Sequence, residues 1–245
     1  MVFATSAQPV QALAHVSLEV ERGDFVSLIG PSGCGKSTLL RLIADVLQPT
    51  AGSIEVRGGP AMRARLAREF GFVFQHPGLL RWRTARANVS LPLEVGGWGR
   101  RHVPPHRPDD LLSLVGLQGF EHAYPRQLSG GMQQRVSIAR ALVTGPPILL
   151  MDEPFGALDE ITRDHLNQEL LRIWAATGTT ILFVTHSIPE AVYLSSRVFV
   201  FTPRPGRVLE QVKIELPSPR APAIKDTPEF VKHTAALRRA LAQGG

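Results

Sequence analysis

Short apolar runs alternate with segments of helical periodicity along most of the chain. Because each run is apolar throughout, rather than alternating, we expect helices to cover both faces of the sheet that these runs form. Strands that alternate with helices favour an α/β fold with a mostly parallel sheet. The five predicted buried strands are Phe25–Ile29, Phe70–Phe74, Ile148–Met151, Thr180–Val184 and Val198–Phe201.

The pattern changes between Gln75 and Gly145, where no strand-like run occurs. Two segments there have helical periodicity, Asp109–Val115 and Met132–Val143. A stretch rich in glycine and proline, Gly96–Pro108, is predicted to be an exposed loop because these residues sustain neither helix nor strand. We therefore predict a helical insertion within an α/β core.

The tail after Phe201 is predicted to begin with a turn. Pro203 and Pro205 could not lie in a central strand, because proline cannot donate to a strand ladder. Helical periodicity returns near the end and predicts a helix over Glu229–Ala242.

Composition narrows the class of protein. The chain has 245 residues, a formal net charge of +6 and a single cysteine. This length suits one large domain or two small ones, and one cysteine excludes an intrachain disulfide or a CxxC metal site and fits a reducing cytosol. No apolar run is long enough for a membrane span, and the first 14 residues lack a signal-peptide pattern. We expect a soluble intracellular protein whose positive charge suits nucleic acid, an anionic membrane surface or phosphate ligands.

Residues 30–38, with the sequence GPSGCGKST, match a phosphate-binding loop. The predicted strand before them and the helical segment Thr38–Val46 after them provide the context that this motif requires. The glycines let backbone N–H groups surround phosphate oxygens, and the helix N-terminus adds partial positive charge. We expect Lys36 to bridge the β- and γ-phosphates and the Ser37 hydroxyl to ligate Mg²⁺. The residues predicted to contact nucleotide are Gly30, Pro31, Ser32, Gly33, Cys34, Gly35, Lys36, Ser37 and Thr38.

Two carboxylates follow the predicted strand Ile148–Met151. Ligands of parallel sheets bind beyond the carboxyl ends of the strands, so Asp152 suits Mg²⁺, through water, and Glu153 is a candidate general base for an attacking water. A strand that ends in Asp-Glu is a weak signal by itself, since acidic residues often follow strands.

Residues 128–135, LSGGMQQR, form a third motif upstream of Asp152. Ser129 can cap a helix whose first N–H groups, freed by Gly130 and Gly131, face outward to bind an anion. An ordinary Ser-Gly helix start would equally explain the stretch if it stood alone.

LSGGMQQR resembles the signature sequence of ATP-binding cassette (ABC) ATPases, and further motifs of that family follow the expected order. Gln75 after FGFVF resembles the Q-loop, residues 156–159 (GALD) the D-loop, and His186 in ILFVTHS the switch histidine. The resemblance covers nearly the whole chain. It implies a P-loop NTPase (RecA-like) core with a mostly parallel sheet, an antiparallel β portion and an inserted α-helical subdomain. The implied boundaries are 1–77 and 146–203 for the core, 78–145 for the helical signature subdomain and 204–245 for the tail.

The resemblance also implies a mechanism in which two copies pack head-to-tail around two ATP molecules. The implied catalytic residues are Lys36, Gln75, Glu153 and His186, and the implied Mg²⁺ ligands are Ser37, Gln75 and Asp152. The second copy would contribute Ser129, Gly130 and Gly131, with Asp159 crossing the interface. In the family an aromatic residue stacks on adenine. Either Phe3 does so here, or the native chain begins upstream of Met1.

The stretch after the Q-loop is similar to that of importer ATPases of the nitrate/sulfonate/taurine type. It comprises HPGLLRWRT at 76–84 and NVSLPL at 88–93, and the later segments PRPGRV, LPSPR and TPEF also resemble that subfamily. In the family a coupling helix of the membrane permease binds here, so 75–88 is the expected partner groove. Trp82 could equally be a core or surface aromatic. Three positions depart from the family's usual residues: Arg81 replaces proline, Ser187 an acidic residue and Asp45 a glycine.

The implied function is ATP hydrolysis that energises uptake of a small anion or organic solute, such as nitrate, a sulfonate or taurine. The implied partners are integral-membrane permease subunits and an extracytoplasmic or periplasmic solute-binding protein. The chain would lie peripherally on the cytoplasmic face of the inner (plasma) membrane.

The alternative is an ABC ATPase outside transport, acting on nucleic acid or in cluster assembly. Translation-type members carry two cassettes, whereas each motif occurs once here, and one cysteine excludes a zinc-binding insertion. Arg100, Arg101 and Arg107 have only Trp98 as a stacking platform, so a solvated loop explains them better than nucleic-acid binding. We therefore expect no nucleic-acid partner.

Overall fold

The computed structural model describes residues 1–3, 8–96, 106–156 and 158–244. Most of the predicted loop Gly96–Pro108, including Trp98, Arg100 and Arg101, lies outside the described residues, and so does Ala157 of the D-loop motif. The chain forms two compact units. Unit 1 comprises Met1–Glu69 and Thr180–Gly245, and unit 2 comprises Phe70–Thr179.

The helices and strands have the following bounds in chain order: β1 (Val2–Phe3), β2 (Val10–Gln11), β3 (Phe25–Ile29), α1 (Lys36–Ile43), β4 (Glu55–Val56), β5 (Gly59–Pro60), α2 (Ala61–Leu66), β6 (Phe70–Val73), α3 (Ala85–Val95), α4 (Pro108–Leu114), α5 (Gly130–Leu142), β7 (Ile148–Asp152), α6 (Glu160–Thr177), β8 (Thr180–Val184), α7 (Ile188–Leu194), β9 (Arg197–Phe201), β10 (Val208–Lys213) and α8 (Pro228–Gln243). None of the described helices is long and apolar enough to span a membrane.

Unit 1 is built around β3, which pairs in parallel with β8 on one side and with β9 on the other. Strand β10 pairs antiparallel to β9, and two short hairpins, β1–β2 and β4–β5, are also antiparallel. Strands β3 and β8 have the predicted bounds and are buried along their whole length, as their continuous apolar runs predict. Pro203 and Pro205 lie in the turn between β9 and β10, outside any strand.

Unit 2 carries the parallel pair β6–β7 and the helices α3 to α6. Strand β7 is fully buried and extends one residue further than predicted, to Asp152. Strand β6 is an edge strand that ends one residue early, at Val73, and its residues alternate between half-buried and buried. The prediction of burial on both faces is therefore wrong for β6, because an edge strand is covered less completely. The predicted helical insertion is confirmed, since no strand lies between β6 and β7 in the described residues.

Helix ends differ from the predictions where a capping residue sets the start. Helix α5 begins at Gly130, two residues before the prediction, because the Ser129 hydroxyl accepts a hydrogen bond from the Met132 N–H (3.3 Å). Helices α4 and α8 match their predictions to within one residue at each end. The longest described helix, α6, was not singled out by the sequence pattern. It starts after Asp159, which caps it, and ends at Gly178 with φ +61°.

Asp45 shows how the chain accommodates one of its departures from the family. Its backbone has φ +56°, a left-handed conformation that glycine adopts most readily. Aspartate tolerates this region better than most residues, and here its carboxylate accepts hydrogen bonds from Gln48 (2.6 Å) and Arg65 (2.8 Å). The hydrogen bond from Arg65 lowers the pKa of Asp45. Side-chain bonds thus stabilise a turn in which the family commonly uses glycine.

In unit 1, the turn of the tail that contains Gly206 packs against the main chain of the phosphate loop. The Gly206 N–H donates to the Ala12 carbonyl (2.9 Å), and the Ala14 N–H donates to the Gly206 carbonyl (3.0 Å). A Cβ atom on Gly206 would lie 1.9 Å from the Cys34 carbonyl oxygen. Only glycine fits at this position, because any side chain would displace the loop main chain.

We predict that Gly206→Ala lowers the free energy of unfolding by about 3 kcal/mol, since the added methyl group overpacks a site bounded by backbone. Gly59→Ala is the matched control, because a Cβ there meets its nearest atom, in the Arg63 side chain, at 3.5 Å. The control is expected to change stability by less than about 1 kcal/mol. Urea denaturation monitored by circular dichroism measures both variants. Equal stability of the two would contradict this close packing of Gly206 against the loop.

Candidate functional site

In unit 1, the loop between β3 and α1 has the geometry of a phosphate cradle. Gly33 and Gly35 have φ +75° and φ +103°, a region that other residues rarely adopt. Lys36 is buried, and its ammonium donates to the main-chain carbonyls of Gly30 (2.9 Å) and Pro31 (3.0 Å). The loop therefore wraps around its own lysine, as a phosphate-binding loop does.

The start of α1 favours an anion. Its N-cap residue is Gly35, which has no side chain to accept hydrogen bonds from the first turn. Helices α3, α5, α6, α7 and α8, by contrast, are each capped by a hydroxyl or carboxylate side chain. The first N–H groups of a helix need an acceptor, and an anion such as phosphate can supply it. The helix begins at Lys36, so Ser37 and Thr38 lie in its first turn.

Cys34 is a packing residue of this loop. It is completely buried, and the Lys36 ammonium lies 3.7 Å from its sulfur. A Cβ on Gly30 would lie 3.2 Å from the same sulfur. Cys34 is therefore a small residue that fills space in the loop, whereas Pro31, Ser32 and Gly33 are more accessible.

Two further predicted site residues, Phe3 and His186, belong to unit 1. Phe3 is half-buried in β1, opposite Val10 of β2. His186 is exposed and follows β8 directly before α7. The next residue, Ser187, caps α7 by accepting a hydrogen bond from the Glu190 N–H (3.3 Å). Ser187 thus has a local structural role at a position where the family usually has an acidic residue.

In unit 2, the end of β7 holds the predicted carboxylates. Asp152 is the last residue of the strand and is buried. Glu153 has φ +46°, a conformation that costs a residue with a side chain roughly 1–3 kcal/mol. A Cβ built on Gly156 would lie 3.8 Å from both the Gln75 amide nitrogen and a Glu153 carboxylate oxygen. The fold therefore brings Gln75 and Glu153 to the same space beside Gly156, although they are distant in sequence.

Helix α5 holds the Q-loop segment that contains Gln75. The Gln134 amide donates to the Phe74 carbonyl (3.2 Å), and the Arg140 guanidinium donates to the carbonyls of Pro77 (2.6 Å) and Gly78 (2.8 Å). Burial lowers the pKa of Arg140. Sequence reasoning missed both supporting residues, because nothing in the local pattern distinguishes Arg140 from the other arginines.

The signature and D-loop motifs meet at the starts of α5 and α6. A Cβ on Gly131 would lie 2.7 Å from a Thr162 methyl group, and one on Gly130 would lie 3.8 Å from Leu158. Asp159 caps α6 by accepting a hydrogen bond from the Thr162 N–H (2.9 Å), and this bond lowers the pKa of the Asp159 carboxyl. Ser129, Gly130 and Asp159 are all exposed, so this end of unit 2 presents a polar surface.

An open groove of about 990 Å³ lies beyond the Q-loop. Trp82 is 73% exposed on it. The lining residues are His76, Gly78, Leu79, Arg81, Trp82, Tyr124, Pro125, Arg126 and Gln133. Most of them come from the predicted partner segment 75–88, and sequence reasoning missed the contribution of 124–126.

Asn88 shapes the rim of this groove. It is fully buried, and its side-chain oxygen accepts a hydrogen bond from the Leu80 N–H (2.7 Å). Its amide nitrogen donates to the carbonyls of Leu80, Arg83 and Thr84. These bonds hold the main chain on both sides of Trp82 and leave the indole exposed.

The donor atoms available for a metal suit Mg²⁺. No cluster of three or more His, Cys, Asp or Glu residues able to hold a metal occurs among the described residues. Magnesium is commonly bound through one or two carboxylates, substrate phosphates and waters rather than by a cage of protein ligands. Unit 2 offers oxygen donors of this kind in the Gln75 amide and the Asp152 carboxylate, and unit 1 offers one in the Ser37 hydroxyl.

The known proteins that this chain is similar to are ATP-binding proteins of transport systems. The chain is 46% identical to the taurine import ATP-binding protein TauB of Yersinia pestis over 227 residues, which cover 90% of this chain and 87% of the relative. It is 41% identical to the aliphatic sulfonates import ATP-binding protein SsuB of Bacillus cereus over 230 residues, 94% of this chain and 89% of the relative.

A solved dimeric ATP-binding cassette in a post-hydrolysis state, bound to ADP and Pi, superposes with a TM-score of 0.76 at 34% identity. The match covers 88% of this chain and 96% of that one. The family model described as ABC transporter matches residues 13–156, more than half of the chain. The phosphate loop, the Q-loop and the signature all lie within this match, and the chain therefore belongs to the ABC transporter family as an ATP-binding cassette ATPase.

Proposed function

We propose that this chain is the ATP-hydrolysing subunit of an importer, which energises uptake of a small anion or organic solute of the nitrate, sulfonate or taurine type through a partner permease. The observation that carries the proposal is the Q-loop segment of unit 2. At one end Gln75 faces the space beside Glu153, and a few residues later Leu79 and Trp82 line the open groove. The Q-loop segment thus connects a residue suited to nucleotide chemistry, Gln75, with the groove, a surface on which a partner protein can bind.

Hydrolysis requires that a water oxygen attack the γ-phosphorus while the bond to the β-phosphate oxygen breaks. We assign Glu153 as the base that takes the proton of this water. Lys36 and the first N–H groups of α1 stabilise the phosphate charge, and Gln75 and His186 contact the nucleotide. Ser37, Gln75 and Asp152 would hold Mg²⁺, which would supply further neutralisation of phosphate charge.

The functional form is a head-to-tail homodimer. Ser129 and Gly130 are exposed at the start of α5, where helix N–H groups can contact the γ-phosphate of ATP held by the other copy. Asp159 lies close to them and is placed to cross the interface. Because such a site is divided between two chains, dimer closure depends on the γ-phosphate and hydrolysis reverses it. The dimeric cassette that this chain resembles supports the arrangement.

The groove lined by Trp82 is the proposed binding surface for the permease. Its occupant is a short cytoplasmic helix with an apolar face for Trp82, Leu79 and Tyr124, and with acidic or polar residues for Arg81 and Arg126. The chain would then lie peripherally on the cytoplasmic face of the membrane. An extracytoplasmic binding protein would select the solute, and the names of two relatives, which are import ATP-binding proteins for aliphatic sulfonates and for taurine, support a solute of that class.

Glu153→Gln is expected to bind ATP normally but to lower turnover at least about 100-fold, because the general base is lost. The ATP-bound dimer should then accumulate in size-exclusion chromatography, since closure is no longer reversed by hydrolysis. Glu210→Gln, a change at an exposed carboxylate of β10, is the control and should behave like the wild type. Near wild-type phosphate release by Glu153→Gln would refute the assignment of the base.

Ser129→Arg is expected to bind ATP and fail to hydrolyse it, because the added cation and bulk block the signature surface. A chain with Lys36→Ala should also be inactive, because its own phosphate loop loses the lysine that stabilises the phosphate charge. Mixing the two inactive variants should restore turnover, because half of the sites in a mixed head-to-tail dimer combine an intact loop with an intact signature. Absence of any restoration would contradict the shared site.

Trp82→Ala is expected to abolish capture of the permease, because it removes the largest exposed apolar side chain of the groove. A tagged chain expressed in its own host should retain an integral membrane protein after detergent extraction, and the variant should lose it. Val231→Ala, which changes an exposed apolar residue on α8, is the matched control. Retention of nucleic acid in place of a membrane protein would favour a function outside transport.

A further inference from the structure

The segment after β10 returns to the helix that follows His186. Arg220 is half-buried there, and its Nη1 nitrogen donates to the main-chain carbonyls of Val192 (3.2 Å), Tyr193 (2.9 Å) and Ser195 (2.9 Å). Carbonyls at the C-terminal end of a helix have no partner within the helix, and a cation at this end also interacts favourably with the helix dipole. Arg220 therefore caps the C-terminal end of α7.

This contact is reciprocal and is enclosed by other residues of the tail. The Tyr193 hydroxyl donates to the Arg220 carbonyl (3.1 Å), and the Lys225 ammonium lies 5.1 Å from the centre of the Tyr193 ring. Phe230 and Leu237 of α8, which packs against α7, are buried. Burial lowers the pKa of Arg220, but an arginine remains protonated in proteins. The C-terminal end of α7 is thus held by a fixed positive charge.

His186 lies two residues before the opposite end of α7, which begins at Ile188. The Thr185 hydroxyl donates to the Glu190 carboxylate and accepts a hydrogen bond from the Ser187 N–H (3.0 Å). Ser187 in turn caps the helix at Glu190. His186 lies between these two bonded residues, so its main chain follows the first turn of α7. The helix has seven residues, or about 10 Å, so its two ends are separated by only about two turns.

We propose that Arg220 is a positioning residue for His186, acting through α7. This inference rests on the proposed function, in which the His186 imidazole contacts the nucleotide. When the three carbonyls lose Arg220, the C-terminal end of α7 is free to shift. The His186 end then shifts with it, and misplacement of a site group by about 1 Å costs up to roughly 100-fold in rate. ATP binding depends on the phosphate loop and is expected to change little.

The first measurement compares Arg220→Ala with Arg238→Ala, which changes an exposed arginine on α8. Steady-state ATP hydrolysis by the full chain should show a kcat for Arg220→Ala lowered by about tenfold or more, with KM for ATP within about twofold of the wild type. Arg220→Lys should recover most of the rate, because an ammonium can donate to the same carbonyls. A fall in kcat/KM caused by KM alone, or no rescue by lysine, would overturn the inference.

The second measurement places Arg220→Ala in a His186→Ala background, with release of labelled phosphate followed long enough to quantify slow rates. If Arg220 acts through His186, the double variant should hydrolyse ATP as slowly as His186→Ala alone and no more slowly. If Arg220→Ala lowers the rate by the same factor in both backgrounds, the inference is wrong and Arg220 has a structural role only.

The two hypotheses can fail separately. Wild-type turnover by His186→Ala alone would refute the proposed role of His186. If the rate losses of the two single variants multiply in the double variant, only the positioning of His186 by Arg220 is refuted. Should Arg220→Ala lose its circular dichroism signal, Arg220→Gln replaces it in the same comparison. If both variants fail to fold, the role of Arg220 is structural and the inference is overturned.

Discussion

The phosphate loop imposes the constraint on which the rest of unit 1 depends. Its N–H groups must converge on an anion, which requires left-handed backbone at Gly33 and Gly35 and an uncapped helix start at Lys36. A loop with so few side chains cannot hold this shape by its own packing. The backbone of residues 12–14 and Gly206, joined by main-chain hydrogen bonds to each other, packs closely against the loop. A Cβ on Gly206 would lie 1.9 Å from the Cys34 carbonyl oxygen, and a Cβ on Gly35 would lie 3.0 Å from the Ala12 carbonyl oxygen. Close backbone packing therefore adds to the hydrogen bonds that the Lys36 side chain makes to the carbonyls of Gly30 and Pro31.

Helix α5 has the corresponding role in unit 2. Its first turn presents the signature residues, and its buried Gln134 and half-buried Arg140 side chains hold the carbonyls of the Q-loop. Each hydrogen bond from a charged donor contributes about 1.5–3 kcal/mol, so the Arg140 contacts tie the Q-loop firmly to this helix. The groove residue Gly78, the Q-loop and the signature are therefore all attached to one helix.

The tail of unit 1 supports functional elements rather than adding a separate module. Its first turn lies behind the phosphate loop at Gly206, and a later residue, Arg220, caps the helix that follows His186. Both contacts act on main-chain atoms, so they restrain backbone positions without touching a nucleotide. This explains why a segment with no recognisable catalytic motif packs so closely against two motif-bearing elements.

The local sequence pattern alone was sufficient to predict the strands β3 and β8, the turn at Pro203–Pro205 and the phosphate loop. The signals for these features are apolar runs, proline and the glycine–lysine spacing, and each acts within a few residues. Only the tertiary structure decided that Gln75 faces Glu153, that Arg140 holds Pro77 and that residues 124–126 complete the groove. These contacts join residues tens of positions apart. The packing of whole helices determines these contacts. Local periodicity therefore does not predict which distant carbonyl a side chain will bind.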